Sequence, residues 1–213
     1  HIVGLSLGGA IAQHLAITSP QRIESLVLCC TAARFGEPQP WLERAATVRA
    51  RGTGAIAAAV VDRWFTPELA GRDPELIARM VDLVTSTPDE GYAACCDALA
   101  AWDSRADLGR IVAPTLVIGG AQDPAVSVAT ITELADGIVG SRLEILSPGA
   151  HLASYERAGA TSELIIEHLD GIGARRDASA RGMRNRRAVL GDAHVDRSVA
   201  ATTPVTAVFQ DFI

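Results

Sequence analysis

A serine between two glycines is the residue best placed for covalent chemistry in this sequence. The segment Gly4-Leu5-Ser6-Leu7-Gly8 fits the pattern G-x-S-x-G, and it joins a strand-like apolar run to an apolar helix. In that context the pattern forms a sharp turn that exposes the serine hydroxyl, so it predicts that Ser6 is a nucleophile. The backbone N–H of Leu7, at the start of the helix, is the predicted oxyanion donor. The alternative is a glycine-rich turn that binds phosphate or serves packing.

A serine hydroxyl is a weak nucleophile unless a base and an orienting carboxylate lie beside it. Asp123 follows the strand-like run that ends at Gly120, and His151 follows a later run that ends at Leu146. The carboxyl ends of parallel strands meet at one edge of a sheet, where sites in open α/β sheets assemble. The chain order serine, acid, histidine also fits the serine turn. We therefore expect Ser6, His151 and Asp123 to form a catalytic triad.

Other imidazole and carboxylate groups are weaker candidates, because no predicted strand leads directly into them. These residues are His14, His168, Asp103 and Asp107. The alternating residues Asp192, His194 and Asp196 are possible metal ligands by type. On a helix, however, side chains two residues apart point in different directions, so they would not converge on one ion. The sequence therefore predicts no metal site, and it predicts no cofactor.

The elements that must position these residues alternate between strand and helix. Short, mainly apolar strands favour a parallel sheet that is covered on both faces, which is an α/β fold. Residues 33–110 are instead Ala-rich, helical in period and interrupted by prolines, which predicts a lid of four or five short helices. The predicted strands are 1–5, 23–30, 114–120 and 142–146, and the other predicted helices are 9–17, 126–137 and 159–170.

Composition restricts the class of protein. The chain has 213 residues, of which 48% are hydrophobic, as expected for one globular core. Its net charge of −6 argues against a nucleic-acid partner, and the lack of an apolar run of about 18 residues argues against a membrane span. The vicinal pairs Cys29-Cys30 and Cys95-Cys96 lack zinc-ligand spacing, so we expect reduced thiols and a cytoplasmic protein. The oligomeric state is left open.

The charge pattern changes towards the end of the chain. Residues 1–170 carry 12 arginines and 21 acidic residues, whereas residues 171–213 carry 7 and 4. This change predicts a linker at 171–181 and a second domain at 182–213. The chain begins inside a strand-like run and ends within another pattern, so we expect it to be an excerpt of a longer protein.

The segments around Ser6, Asp123 and His151 resemble those of the α/β-hydrolases. The run Gly91-Tyr92-Ala93-Ala94-Cys95-Cys96-Asp97-Ala98-Leu99 is similar to the lid of the β-ketoadipate enol-lactone hydrolases of the protocatechuate pathway. The resemblance covers residues 1–170. It implies an α/β-hydrolase fold without its first strands and without the loop that supplies a second oxyanion donor. It also implies an enzyme that hydrolyses a small lactone, β-ketoadipate enol-lactone, to β-ketoadipate.

The end of the sequence is similar to the opening of the γ-carboxymuconolactone decarboxylases, which catalyse the preceding step of the same pathway. The similarity lies in residues 181–184, 191–197 and 209–213. It implies a bifunctional chain in which residues 182–213 begin an all-α domain. The sequence does not include the Cys- and His-bearing region that this family uses for chemistry, and the resemblance leads us to expect it further along a longer chain.

The implied lactone carries a carboxylate on its side arm, so a positive group is expected near Ser6. The candidates are Arg34, Arg63 and Arg105. Trp102 and Tyr92 are expected to wall the pocket or, alternatively, to form the core of the lid. Two other functions stay open: a generic esterase or C–C bond hydrolase of the same fold, and a decarboxylase that carries an inactive hydrolase module.

Overall fold

The computed structural model describes residues 1–201, except for the side chains of residues 175, 176 and 178. Within this part of the chain, four parallel strands form one sheet in the order β1-β2-β3-β4. They are β1 (Ile2–Leu5), β2 (Leu26–Cys29), β3 (Thr115–Gly120) and β4 (Arg142–Leu146). Leu5 lies opposite Cys29, which lies opposite Ile118, so the carboxyl ends of the strands share one edge. The predicted parallel sheet is confirmed, although β2 is shorter than the apolar run 23–30.

Helices connect these strands. Helix α1 (Leu7–Thr18) follows β1, and α7 (Val128–Gly137) joins β3 to β4. Residues 33–110, here called the helical segment, connect β2 to β3. Its α-helices are α2 (Pro38–Arg51), α3 (Ala57–Val61), α4 (Pro67–Arg72), α5 (Pro74–Thr85) and α6 (Asp89–Ala101). Three short 3-10 helices within the described residues lie at Pro20–Arg22, Thr53–Ala55 and Arg105–Arg110.

Prolines mark the starts of helices in the helical segment. The first residues of α2, α4 and α5 are prolines, whose fixed φ suits the first helical position, where the missing N–H costs nothing. Thr66 and Asp73 cap α4 and α5, since their side chains accept hydrogen bonds from the N–H groups of Leu69 and Leu76. The short helices thus follow from local chemistry.

The two central strands, β2 and β3, are buried on both faces, as expected for parallel strands. Alternate residues point to opposite faces. Leu28 and Val117 pack in a cluster with Ile131 and Leu134 of α7 and with small residues of α1. The other face presents Val27, Cys29, Leu116 and Ile118, and Leu164 packs against that cluster. The sheet is therefore a rigid platform for the loops at its carboxyl edge.

Helices α8 (Ala153–Glu156) and α9 (Ala158–Leu190) follow β4. The helix predicted over 159–170 continues to Leu190, so residues 171–181, predicted to be a linker, lie within α9. Ala and Arg are strong helix formers, and they outweigh the cost of about 1 kcal/mol that each interior glycine brings. The change in charge therefore marks no break in the helix. No helix within residues 1–201 combines the length and apolar character needed to cross a bilayer.

The chain divides into two compact units, residues 1–165 and the residues from Ile166 onward. In the second unit, a turn at Gly191, where φ is 78°, precedes α10 (Asp192–Ala200). Arg187 pairs with Asp192 at 3.0 Å and with Asp196 at 2.7 Å. Residues 202–213, the later part of the predicted decarboxylase-like segment, lie outside the described residues.

Candidate active site

Ser6 lies on a sharp turn between β1 and α1. Its φ of 51° is unusual for a residue with a side chain and indicates local strain. The turn is held from both sides, since the Ser6 N–H donates to Cys29 O at 2.9 Å and the Thr31 hydroxyl donates to Ser6 O at 2.7 Å. A Cβ at Gly4 would overlap the backbone of Gly8, so glycine at position 4 is what permits the tight turn.

The structure brings Ser6, His151 and Asp123 into one hydrogen-bonded chain. His151 Nε2 lies 2.9 Å from Ser6 Oγ, and His151 Nδ1 lies 2.8 Å from Asp123 Oδ2. The second oxygen of Asp123 accepts hydrogen bonds from the N–H groups of Ala125 and Val126, at 2.8 and 3.0 Å. The side chain of Asp123 is fully buried and that of His151 is 9% exposed, so water does not compete for their contact. This arrangement can transfer a proton from the serine to the imidazole.

The loops that carry Asp123 and His151 interlock. The Gln122 N–H donates to Gly149 O at 2.8 Å, and the Gln122 side-chain oxygen accepts from the Gly149 N–H at 3.3 Å. Gly120, at the end of β3, lies so close to the next loop that a Cβ there would overlap Ala150 O. The distance between the carboxylate and the imidazole is thus fixed by backbone contacts.

Glu156 joins the His151 loop to the helical segment, a role that the sequence did not reveal. Its Oε2 accepts from the Ala150 N–H at 2.6 Å, and its Oε1 accepts from the N–H and the hydroxyl of Thr66 at 2.9 and 2.7 Å. The Leu152 N–H also donates to Trp64 O at 2.8 Å. The start of α4 is therefore tied to the residues that flank His151.

A cavity of about 580 Å³ opens above Ser6 and His151. That volume suits a small-molecule site, which is usually lined mainly by apolar groups with a few polar ones. The helical segment supplies most of the wall. Its aromatic lining residues are Phe35, Trp41, Trp64 and Tyr92. Burial raises the pKa of Tyr92 above its usual range, so the phenol is neutral near pH 7.

Two arginines line the same cavity. Arg63, one of the predicted candidates, is half-buried there, and its pKa is lowered first by burial and then by the neighbouring Arg44. Arg44 lies on α2 and was missed in the sequence, where nothing sets it apart from other arginines of the helical segment. Its guanidinium stacks on Trp41, 4.5 Å from the ring centroid.

The other predicted substrate-binding residues, Trp102, Arg105 and Arg34, lie outside this cavity. The Trp102 ring N–H donates to Ala32 O at 3.3 Å, the ring contacts His14 edge-on, and Trp102 lines a separate apolar pocket of about 200 Å³. Arg105 pairs with Asp103 at 2.6 Å and holds the pKa of that carboxyl down at about 2. Arg34 pairs with Glu37 at 2.8 Å. Each guanidinium is satisfied by a carboxylate near it in sequence.

The two cysteines at the end of β2 are poor nucleophiles. All four cysteines are free, and Cys29 and Cys30 are buried. Burial raises the pKa of Cys29 to about 11 and that of Cys30 to about 12, with the Asp123 charge adding to the latter. Both thiols are therefore protonated near neutral pH, which leaves Ser6 as the candidate nucleophile beside His151.

A parallel sheet with a strained serine turn, a histidine and an acid at its carboxyl edge defines the α/β-hydrolases. Residues 1–158 match the family model of the alpha/beta hydrolase fold, and the chain belongs to this family.

Comparison with individual proteins finds similarity to enol-lactonases within this family. The chain is 41% identical over 162 residues to 3-oxoadipate enol-lactonase 2 of Acinetobacter baylyi, a match that covers 76% of the chain and 60% of that protein. It is 31% identical to 3-oxoadipate enol-lactonase 1 of the same organism, covering 74% of the chain and 59% of that protein. The crystal structure of the enol-lactonase from Burkholderia xenovorans matches with a TM-score of 0.76 at 40% identity, covering 79% of the chain and 64% of that protein. The chain thus spans about 60% of the length of the two Acinetobacter relatives.

Proposed function

We propose that this protein hydrolyses 3-oxoadipate enol-lactone (β-ketoadipate enol-lactone) by a Ser-His-Asp mechanism. The observation that carries the proposal is the 2.9 Å contact between Ser6 Oγ and His151 Nε2, with Asp123 behind the imidazole, at the base of a mainly apolar cavity. The enol-lactonases of Acinetobacter and Burkholderia, at 41% and 40% identity, support the choice of substrate. In this proposal the helical segment acts as the lid of the cavity.

The first half of the reaction forms an acyl-enzyme. His151 accepts the Ser6 proton while Asp123 holds the imidazole in the required tautomer. Ser6 Oγ attacks the lactone carbonyl, and the Leu7 N–H, at the first position of α1, stabilises the oxyanion. The ring C–O bond then breaks as the imidazolium returns its proton to the enol oxygen. The released enol tautomerises to a ketone, which makes ring opening effectively irreversible.

The second half releases the acid. His151 takes a proton from a water molecule, which attacks the Ser6 ester, and the imidazolium then returns a proton to Ser6. The apolar walls of the cavity keep bulk water away from the reacting atoms, which strengthens the electrostatic contacts within it. Neutral Tyr92 and the aromatic residues beside it would contact the ring of the substrate.

For residues 182–213, we propose the opening of a γ-carboxymuconolactone decarboxylase domain, on the sequence resemblance alone. Decarboxylation of the carboxymuconolactone by the full-length protein, coupled to enol-lactone hydrolysis in one assay, would test it. Release of carbon dioxide is expected. A full-length protein that never consumes the carboxymuconolactone would contradict the fusion.

A substrate panel tests the hydrolase proposal. The panel contains the enol-lactone, a neutral aryl ester and a C–C hydrolase substrate with a vinylogous diketone. The enol-lactone is expected to give the highest kcat/KM. A higher value for either of the other two would favour the generic esterase or the C–C bond hydrolase instead.

A further inference from the structure

Two cationic side chains share the cavity with Ser6. Arg44 comes from α2 and Arg63 follows α3, so different elements bring the two guanidinium groups to the same wall. Both are half-buried. A half-buried charge has lost part of its hydration, and that loss must be offset by a partner.

Neither arginine forms an ion pair with a carboxylate of the described residues. Arg34 and Arg105, outside the cavity, do pair with carboxylates close in sequence. The whole chain carries a net charge of −6, so an anion that enters the cavity needs a local positive potential. The two arginines supply that potential within the cavity that Ser6 also lines.

Arg44 is held in a fixed orientation. Its guanidinium stacks on the Trp41 ring, and the Trp41 ring N–H donates to Phe35 O at 2.7 Å. Arg44 also hydrogen-bonds the Tyr92 phenol, and the remaining in-plane N–H groups of the stacked guanidinium match the two oxygens of a carboxylate. The cavity therefore presents a preorganised donor set.

We propose that Arg44 and Arg63 bind a carboxylate carried by the substrate, so that the cavity selects lactones and esters with an anionic arm. This inference rests on the proposed hydrolase function and assigns the residues that recognise the substrate class. In this arrangement Arg44 and Arg63 bind the carboxylate arm of the substrate. The apolar wall of the cavity contacts the lactone ring, and Ser6 attacks the lactone carbonyl.

The test compares two p-nitrophenyl esters of equal chain length, the monoester of glutaric acid and the neutral pentanoate. The variants are Arg44→Met, Arg63→Met and the double variant, with Arg105→Met as the matched control outside the cavity. Each cavity variant is expected to lose roughly 10- to 100-fold in kcat/KM on the anionic ester, mainly through KM, and less than about twofold on the neutral ester. The control is expected to match the wild type on both. Equal losses on both esters, or the same loss in the control, would overturn the proposal.

A binding measurement separates this inference from the hydrolase proposal. Calorimetric titration with glutarate does not depend on turnover, so it reports on the arginines even if neither ester is cleaved. The wild type and the Ser6→Ala variant are expected to bind glutarate with the same Kd, and the double arginine variant to bind at least tenfold more weakly. Glutarate binding that is unchanged in the double variant would refute the carboxylate site while leaving the mechanism at Ser6 intact.

Discussion

Glu156 Oε2 accepts a hydrogen bond from the Ala150 N–H at 2.6 Å, directly before His151 in the chain. The other oxygen of Glu156 binds both the N–H and the hydroxyl of Thr66. The Glu156 carboxylate thus connects the loop that carries His151, the proposed base, to the helical segment that forms the cavity wall. The position of the imidazole and the shape of the cavity are therefore linked.

Replacing Glu156 by Gln should weaken this link. An amide nitrogen would face an N–H donor on one side or the other, so at least one contact is lost and a donor is left unpaired. We expect the free energy of unfolding to fall by about 1–3 kcal/mol, with a lower kcat on the enol-lactone. Urea unfolding and steady-state kinetics measure these effects. Glu68→Gln, at an exposed position on α4, is the control. If both variants have the same free energy of unfolding and the same kcat, the Glu156 contacts do not contribute to stability or activity.

Asp123→Asn should separate catalysis from folding. The asparagine oxygen can still accept from Ala125 and Val126, but its NH₂ group would face His151 Nδ1 and favour the wrong tautomer. We expect kcat to fall by about 10⁴-fold with little change in Tm. Asp136→Asn, an exposed change on α7, should alter neither quantity. A kcat within tenfold of the wild type would remove Asp123 from the mechanism.

Gly120→Ala tests the interlocked loops. The added Cβ would overlap Ala150 O, so the His151 loop must move. We expect a loss of about 1–3 kcal/mol in stability, together with reduced activity. Gly71→Ala is the matched control, because a Cβ there meets open space and alanine favours a helix. The control should be neutral or slightly stabilising, and a Gly120 variant that behaves in the same way would contradict the close approach.

The buried thiols predict a loss of stability at alkaline pH. The pKa of Cys29 is raised from 9.0 to about 11, and that of Cys30 from 9.0 to about 12. Between pH 9 and these raised values, the two thiols ionise in the unfolded chain but stay protonated in the folded protein. Their contribution is complete below pH 9 and is lost as the pH rises through 11. Urea midpoints from pH 8 to pH 11 should fall less steeply for Cys29→Ala than for the wild type. The exposed Cys95→Ala should follow the wild type, and identical slopes in all three would refute the assignment.

The parallel sheet and the approach of Ser6, His151 and Asp123 to one another agree with the sequence prediction, because both depend on local turns and on apolar strands. Gly4 and Ser6 define a turn by their own backbone requirements, and Asp123 and His151 each come after an apolar strand. Parallel strands share one carboxyl edge, so residues that follow such strands come near each other, and the contacts between the loops then set the distances.

The residues that line the cavity are harder to predict from the sequence. Arg44, Arg63 and Arg105 all belong to the helical segment, and only the packing of short helices decides which of these arginines lines the cavity above Ser6. Glu156 escapes prediction for the same reason, since its partner Thr66 is 90 residues away in the chain. Residues 171–181 are helical although their change in charge and their glycines suggest a linker, because Ala and Arg have high helix propensity.

The most direct test of the proposed mechanism is the turnover of 3-oxoadipate enol-lactone by Ser6→Ala beside Ser86→Ala, a change at an exposed serine that ends α5. Removing the nucleophile should reduce kcat by about 10⁴- to 10⁶-fold, while Ser86→Ala should leave it unchanged. A Ser6→Ala protein that opens the lactone at a rate within tenfold of the wild type would contradict nucleophilic attack by Ser6.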